Sequence, residues 1–234
     1  MKYLRAILYL ILPSCLLRLL FRDIGKNVKI GFSIIITDKL SMASNCQIGN
    51  FVFILVPSVI MEDFSRIKFF TIIKGKFNVK LKENSTVGKC VKIVNPLYND
   101  KLTTFFLGKY STISSHAFID VSREVSIGHN SCLAGIGTQV FTHSFYHMED
   151  CRNVKVVSPV KIGNNVYVGT RSILLGGITI ADNITVGAGA VIGIDLLQPG
   201  AYVMSCLHYI EFDPMQKIRH YNQITDGLYE KQKK

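Results

Sequence analysis

From Val160 to Ile192 the chain places an aliphatic residue at every sixth position: Ile162, Val168, Leu174, Ile180, Val186 and Ile192. Two positions before each lies a second column, Val160, Val166, Ser172, Ile178, Ile184 and Ala190, every member apolar or small. A period of six fits neither the 3.6-residue turn of a helix nor the simple alternation of a strand. It predicts a solenoid of very short strands, each coil burying its aliphatics against the coils above and below. Gly163, Gly169, Gly187 and Gly193 follow four of the first-column residues, and small residues there keep corner backbones close. Asn164–Asn165 and Asp182–Asn183 tolerate left-handed backbone angles at such corners.

With its IGNNVYVG, the hexads of LLGGITIADNITVGAGAVI and the upstream loop GIGTQVFTHSFYH, the chain resembles the hexapeptide-repeat acyltransferases. It is most similar to the maltose and galactoside acetyltransferases and to the O-acetyltransferases of bacterial polysaccharide synthesis. The close match covers roughly Ile113 to Ile192. The resemblance implies an all-β fold, a left-handed parallel β-helix with three hexads in each triangular coil. Left-handedness comes from the resemblance, as an exception to the usual right-handed crossover.

The same spacing begins early in the chain. Ile30, Ile36, Met42, Ile48, Ile54 and Ile60 fall at strict sixes, with Val28, Ile34, Leu40, Cys46, Val52 and Ser58 two positions ahead. The period then slips, to Ile67, Ile73 and Val79, to Val87 and Ile93, and beyond 95–101 to Leu107, Ile113 and Ile119. Slips of one or two residues are what bulged corners give. Pro96–Leu102, with Pro and Asn-Asp as turn residues, reads as a projecting loop near 95–102. Ile127 and Leu133 resume the register, and 29 positions then separate Leu133 from Ile162, 11 more than a coil of 18. That surplus must leave the solenoid, as a loop near 142–159 that holds His143, His147 and Arg152.

Three regions result: an N-terminal segment 1–26, the β-helix 27–204, and a tail 205–234. The first surrounds the uncharged run Ala6–Leu17 with Lys2, Arg5, Arg18, Arg22 and Lys26. Its 12 residues fall short of the roughly 20 that a spanning helix needs, and Pro13 would kink a helix there. A signal peptide fits the charge and apolar length, but no A-x-A-like site follows. Two readings stand: a basic amphipathic helical segment on the inner leaflet of a membrane, or a helix capping the open end of the solenoid. The tail opens with Asp213-Pro214, a helix-start signal, and is expected to be a short helix with a solvated basic end, KQKK.

Charge adds an anionic partner to this picture. Lys and Arg number 27 against 16 Asp and Glu, a net +11, which suits a phosphorylated cofactor, an anionic sugar or a membrane surface. No metal-finger spacing or recognisable nucleic-acid-binding motif is present, so nucleic acid is the weaker partner. The six scattered cysteines form no CxxC pair and read as reduced apolar side chains of a cytoplasmic protein.

Moving an acyl group from a thioester to a hydroxyl needs a base near the acceptor and donors for the oxyanion. A histidine on a loop beside the solenoid suits the first role, although a lone histidine is more often structural. The resemblance assigns the role to His143, which lies 27 positions before Thr170, the spacing of the catalytic histidine in the sugar acetyltransferases. His147 is the second candidate, as a group orienting the acceptor, while His116 and His129 read as corner residues. By the same resemblance Asp120 is an acceptor-binding or His-orienting carboxylate, and a turn-forming Asp is the alternative. Gln139 breaks the aliphatic column, so it either lines the acceptor cleft or caps a backbone group. Tyr167 stands where the family often has Trp.

For the cofactor, Thr170 and Ala188 match positions that contact acetyl-CoA, small residues letting the pantetheine arm run close to the coils. The chain departs from the family at Gly193-Ile194, where Thr-Lys is common, and at Met204-Ser-Cys-Leu, where a Gly-Asn-Pro turn is usual. Phosphate contacts must come from elsewhere, with Arg171, Lys217 and Arg219 as candidates. The resemblance thus implies an acetyl-CoA-dependent O-acetyltransferase acting on a sugar hydroxyl of a cell-surface polysaccharide, capsule or O-antigen, or of its precursor. It also implies a homotrimer with the active site between subunits, and no metal. The rivals are an N-acetyltransferase of an amino-sugar nucleotide, a γ-type carbonic anhydrase needing three histidines around zinc, and a non-catalytic solenoid.

Overall fold

The sixes become strands of two to five residues, each too short to bury its own apolar side and stable only when stacked. The computed structural model describes residues 23–96, 101–147, 153–203, 208–211, 221–225 and 228–231, together with Tyr3 and Ile7. Successive strands enter three sheets in rotation, of ten, eight and seven strands, parallel except for His208–Ile210 at the end of the first and wound as a left-handed β-helix.

The register climbs the first sheet through Lys29, Gln47, Arg66, Thr86, Thr112, Cys132, Tyr167 and Thr185, so the coils between hold 18, 19, 20, 26, 20, 35 and 18 residues. The 26-residue coil contains Pro96–Leu102, of which 97–100 lie outside the described residues. The 35-residue coil contains the predicted excursion, which is an antiparallel hairpin pairing His143–His147 with Asn153–Val157.

Every member of both columns between Val160 and Ile192 is buried. In the N-terminal coils Met42, Ile48 and Ile54 are buried as the strict sixes predict, but elsewhere the series is off by one residue: Ile35 is buried, whereas Ile34 is 46% exposed and Ile36 half-buried. Three consecutive isoleucines carry no periodicity of their own. Stacking decides which of them points inward, because Ile35 pairs with Ile54 and Ile54 with Ile73, a buried column in the second sheet. Likewise Val59 and Met61, not Ser58 and Ile60, face the core in the third sheet.

The corner leading from the third sheet to the first carries the expected asparagines. Asn27, Asn45, Asn84, Asn130, Asn165 and Asn183 all have positive φ, and their amides bond from coil to coil, Asn130 to Asn165 at 2.9 Å and Asn165 to Asn183 at 3.0 Å.

Past the solenoid, the described residues 208–210, 221–225 and 228–231 are strand. His208–Ile210 pairs antiparallel with Gly200–Val203, and Tyr221–Thr225 pairs with Leu228–Lys231. In the sequence these last two strands are separated by Asp226-Gly227, a dipeptide that favours two-residue β-turns. Asp213 and Pro214, on which the helical expectation rested, lie outside the described residues. In segment 1–26, Tyr3 and Ile7 are helical and exposed. No helix among the described residues is long and apolar enough to cross a membrane.

Candidate active site

Two corners flank the second sheet. At the first, Ile136, Thr170–Arg171 and Ala188–Gly189 stack on successive coils, linked by Arg171 N–H to Ile136 O at 3.2 Å and Gly189 N–H to Thr170 O at 2.8 Å. Approach is tight here. A Cβ on Gly169 would sit 2.5 Å from Ala188 N, and one on Gly135, whose φ is +69°, would collide with Thr170. Thr170 Oγ1 accepts from Ile136 N–H and donates to Ile136 O, both at 2.9 Å, so its hydroxyl is spent within the corner. Ala188 and Arg171 are exposed. This corner therefore offers a narrow small-residue strip with one flanking guanidinium.

The second corner holds Asp120, Thr142 and His143. Asp120 closes an Asx-type turn, its Oδ1 accepting from Ser122 N–H at 2.8 Å and Ser122 Oγ at 2.7 Å. Its Oδ2 accepts from Thr142 N–H at 2.8 Å, Thr142 Oγ1 at 2.9 Å and His143 Nδ1 at 2.6 Å. Burial works to raise the Asp120 carboxyl, but hydrogen bonds from Ser122, His143 and Thr142 outweigh it and hold the group below the usual carboxylate range. The side chain has no solvent exposure. This corrects the expectation of acceptor binding: with both oxygens filled from inside the protein, Asp120 reaches His143 and not a ligand.

An ionised Asp120 can only accept, so Nδ1 of His143 is the donor, and in the neutral imidazole the lone pair lies on Nε2. The imidazole stands edge-on between Phe141 and Phe145, with centroids at 6.4 and 5.8 Å. Its side chain is 18% exposed. The arrangement is an oriented base, held at Nδ1 by Asp120 and flanked by Phe141 and Phe145.

Other predicted residues scatter. Val140, not Gln139, fills the buried column opposite Leu174, because Leu133 and Val140 are seven residues apart rather than six. Gln139 turns outward on the second sheet beside Ile173 and does not break the column. His147 pairs with Asn153 at the far end of the hairpin. His116 and His129 lie exposed at corners, His116 with φ 58°. Tyr167 points outward from the first sheet, 48% exposed. Lys217 and Arg219 fall outside the described residues. Among the described residues no group of three or more His, Cys, Asp and Glu gathers as a metal would require. Ser122 and Thr142 were missed by sequence reasoning. Asp-x-Ser was readable as a turn, but nothing local says that Thr142, a coil later, donates to the same carboxylate.

Residues 159–193 match the model of the bacterial transferase hexapeptide (six repeats). This stretch is a hexapeptide repeat. The repeat-bearing chain is 30% identical over 113 residues to the galactoside O-acetyltransferase of Escherichia coli (strain K12), covering 48% of this chain and 56% of that one. It is 25% identical over 189 residues to the bifunctional protein GlmU of Blochmanniella pennsylvanica (strain BPEN), covering 74% of this chain and 35% of that one. The chain thus spans about half the length, or less, of these curated relatives. Among solved structures, the polySia-specific acetyltransferase NeuO superposes with a TM-score of 0.48 at 15% identity, over 80% of this chain and 83% of the other. The resemblance to hexapeptide-repeat acyltransferases rests on the repeat and on the galactoside O-acetyltransferase likeness.

Proposed function

We propose that this chain is an acetyl-CoA-dependent O-acetyltransferase that modifies a sugar hydroxyl of a cell-surface polysaccharide or its precursor. The observation that carries the reading is the Asp120–His143 pair at 2.6 Å, which leaves Nε2 as an oriented proton acceptor beside a hexapeptide repeat. The acceptor hydroxyl gives its proton to Nε2 while its oxygen attacks the acetyl carbonyl carbon, with backbone N–H groups meeting the oxyanion. The carbon–sulfur bond then breaks, and the departing CoA sulfur takes the proton back from the imidazolium. Asp120 stays ionised throughout and steadies the imidazolium. A cysteine acyl-enzyme is not needed, and burial pushes the Cys46 and Cys132 thiols up, away from the reactive thiolate.

Acetyl-CoA fits the first corner: a pantetheine arm needs the close backbone approach that Gly169 and Ala188 allow, and Arg171 supplies a cation nearby. His143 and this strip lie at opposite edges of the second sheet. Six residues, Thr170 to Gly176, separate the edges in one coil, at most about 20 Å of extended chain. A homotrimer resolves the separation by bringing one subunit's His143 edge to the next subunit's Thr170 edge. Support for it lies in the outward face of the second sheet, where the stacked column Ile34, Phe53, Ile72, Lys92, Phe118, Gln139, Ile173 and Val191 is apolar at six of its eight positions. We also propose that residues 1–26 bring the protein to the cytoplasmic face of a membrane.

The test is mass spectrometry of nucleotide-sugars, glycans and amino-sugars incubated with the full chain and acetyl-CoA. A product heavier by one acetyl group on oxygen, absent with His143→Ala, is the expected result. Transfer to an amine alone would give the reading to N-acetylation, and no transfer with no CoA binding would sink catalysis altogether.

A further inference from the structure

We infer that Asn95 and Ser122 are positioning residues for the His143 base, forming a relay that keeps the Asp120 carboxylate ionised and aimed; this rests on the acyl-transfer reading above. Ser122 Oγ lies 2.7 Å from Asp120 Oδ1 and 3.4 Å from Asn95 Oδ1. A hydroxyl has one proton to give. Given to Asp120 across the shorter contact, it leaves a Ser122 lone pair facing the Asn95 carbonyl oxygen. At the same time Asn95 Nδ2 is buried with no hydrogen-bond partner among the described residues.

The two ends of an amide have nearly the same shape, and the hydrogen-bond network decides between them. Exchanging them cures both faults together. Asn95 Nδ2–H then donates to Ser122 Oγ, and Ser122 O–H donates to Asp120 Oδ1. The amide oxygen takes the buried place, where an under-used acceptor costs less than an orphaned donor.

The donations now converge on Asp120 from three successive coils at the same corner, from Asn95 through Ser122 on one side and from Thr142 and His143 on the other. Ser122 saturates Oδ1 with its N–H and its O–H, which turns Oδ2 toward Thr142 and His143. Without the Ser122 hydroxyl, Oδ1 keeps one donor and the carboxylate is free to rotate away from Nδ1. Asn95 orients that hydroxyl, because an Nδ2–H donated to Oγ occupies a Ser122 lone pair and leaves the proton directed at Asp120 Oδ1, 2.7 Å away. Neither residue reaches the reacting atoms, so each acts through the imidazole alone.

The test uses the full-length protein with Ser122→Ala, Ser122→Thr and Asn95→Leu. Ser122→Ala should lower kcat about tenfold, the loss of one hydrogen bond's worth of orientation, with KM for acetyl-CoA and acceptor unchanged. Ser122→Thr should restore the rate, and Asn95→Leu should fall between. In a His143→Ala background Ser122→Ala should cost nothing further, since residues acting as a unit are not additive. A readout independent of turnover is the far-downfield proton NMR signal of the His143 Nδ1–Asp120 bond, assigned by its disappearance in His143→Ala. It should move in Ser122→Ala and Asn95→Leu and return in Ser122→Thr whether or not the acceptor has been found, which separates failure of the relay from failure of the acyl-transfer reading. If Ser122→Ala does not fold, Asn95→Leu carries the same measurements. An unmoved signal with unchanged kcat in both variants overturns the relay, as does an equal loss in the His143→Ala background.

Discussion

Asp120 sets the chemistry at the scale of single residues, because a carboxylate with no exposure survives burial only when its lone pairs are filled. Removing His143 as His143→Ala should lower turnover by roughly 10²–10⁴-fold while CoA affinity, measured by calorimetry, stays near normal. Asp120→Asn should lower stability by about 1–3 kcal/mol at pH 7, since its NH2 group must face donors from Ser122 or Thr142. That cost depends on pH with a definite sign. The folded carboxyl is held below its usual value, so its contribution is fully present above the unfolded carboxylate value of about 3.9 and is lost as pH falls through the lower folded value. Urea unfolding of both proteins from pH 7 downward should show their difference constant to about pH 4 and shrinking below it. A gap that widens on acidification would mean Asp120 is buried protonated.

Elements here are corners and columns rather than long strands. Leu174 is fully buried in the second-sheet column, and Leu174→Ala should cost about 2–5 kcal/mol. Asn165, with φ 56°, shows the other constraint. Asn165→Ala should lose about 1–2 kcal/mol from the left-handed backbone, together with its amide bonds to Asn130 and Asn183. Asn165→Gly should recover the backbone part, and denaturant midpoints for the pair will separate the two contributions. Aromatic residues at the same kind of corner, Phe64 and Tyr110, also adopt positive φ. Stacking between coils therefore overrides the local preference that makes asparagine readable.

For the whole molecule, the mainly apolar outer face of the second sheet has a direct consequence. Light scattering at micromolar concentration should give about three times the 26.2 kDa chain mass. Phe53→Glu, which places a charge between Ile34 and Ile72, should release monomers that keep their β-sheet circular dichroism and lose activity. A monomeric wild type with full activity would contradict a site shared between subunits. Residues 1–26 carry the membrane prediction, tested by flotation with liposomes. The full chain should float with anionic vesicles and less so in high salt, each basic residue near such a surface contributing on the order of 1 kcal/mol. A chain lacking 1–26 should stay in the soluble fraction, and a full chain that never floats would leave the segment as a cap.

What the amino-acid sequence determined by itself is whatever repeats locally. The two columns between Val160 and Ile192 predicted stacked short strands, the asparagines predicted left-handed corners, and the 29-residue gap predicted an excursion bearing His143. Each of these follows from the chemistry of residues within one coil of each other. Only the tertiary structure decided the rest. It chose Ile35 from three isoleucines and Val140 over Gln139, because inward facing is set by the coils stacked on either side. It paired Tyr221–Thr225 with Leu228–Lys231 as antiparallel strands in the tail, a pairing that the helix-start signal at Asp213-Pro214 does not announce. It brought Asn95, Ser122, Asp120, Thr142 and His143 to one corner from positions up to 48 residues apart. Coil length fixes which residues share a corner, and coils of 18 to 35 residues hide that sharing from any constant spacing.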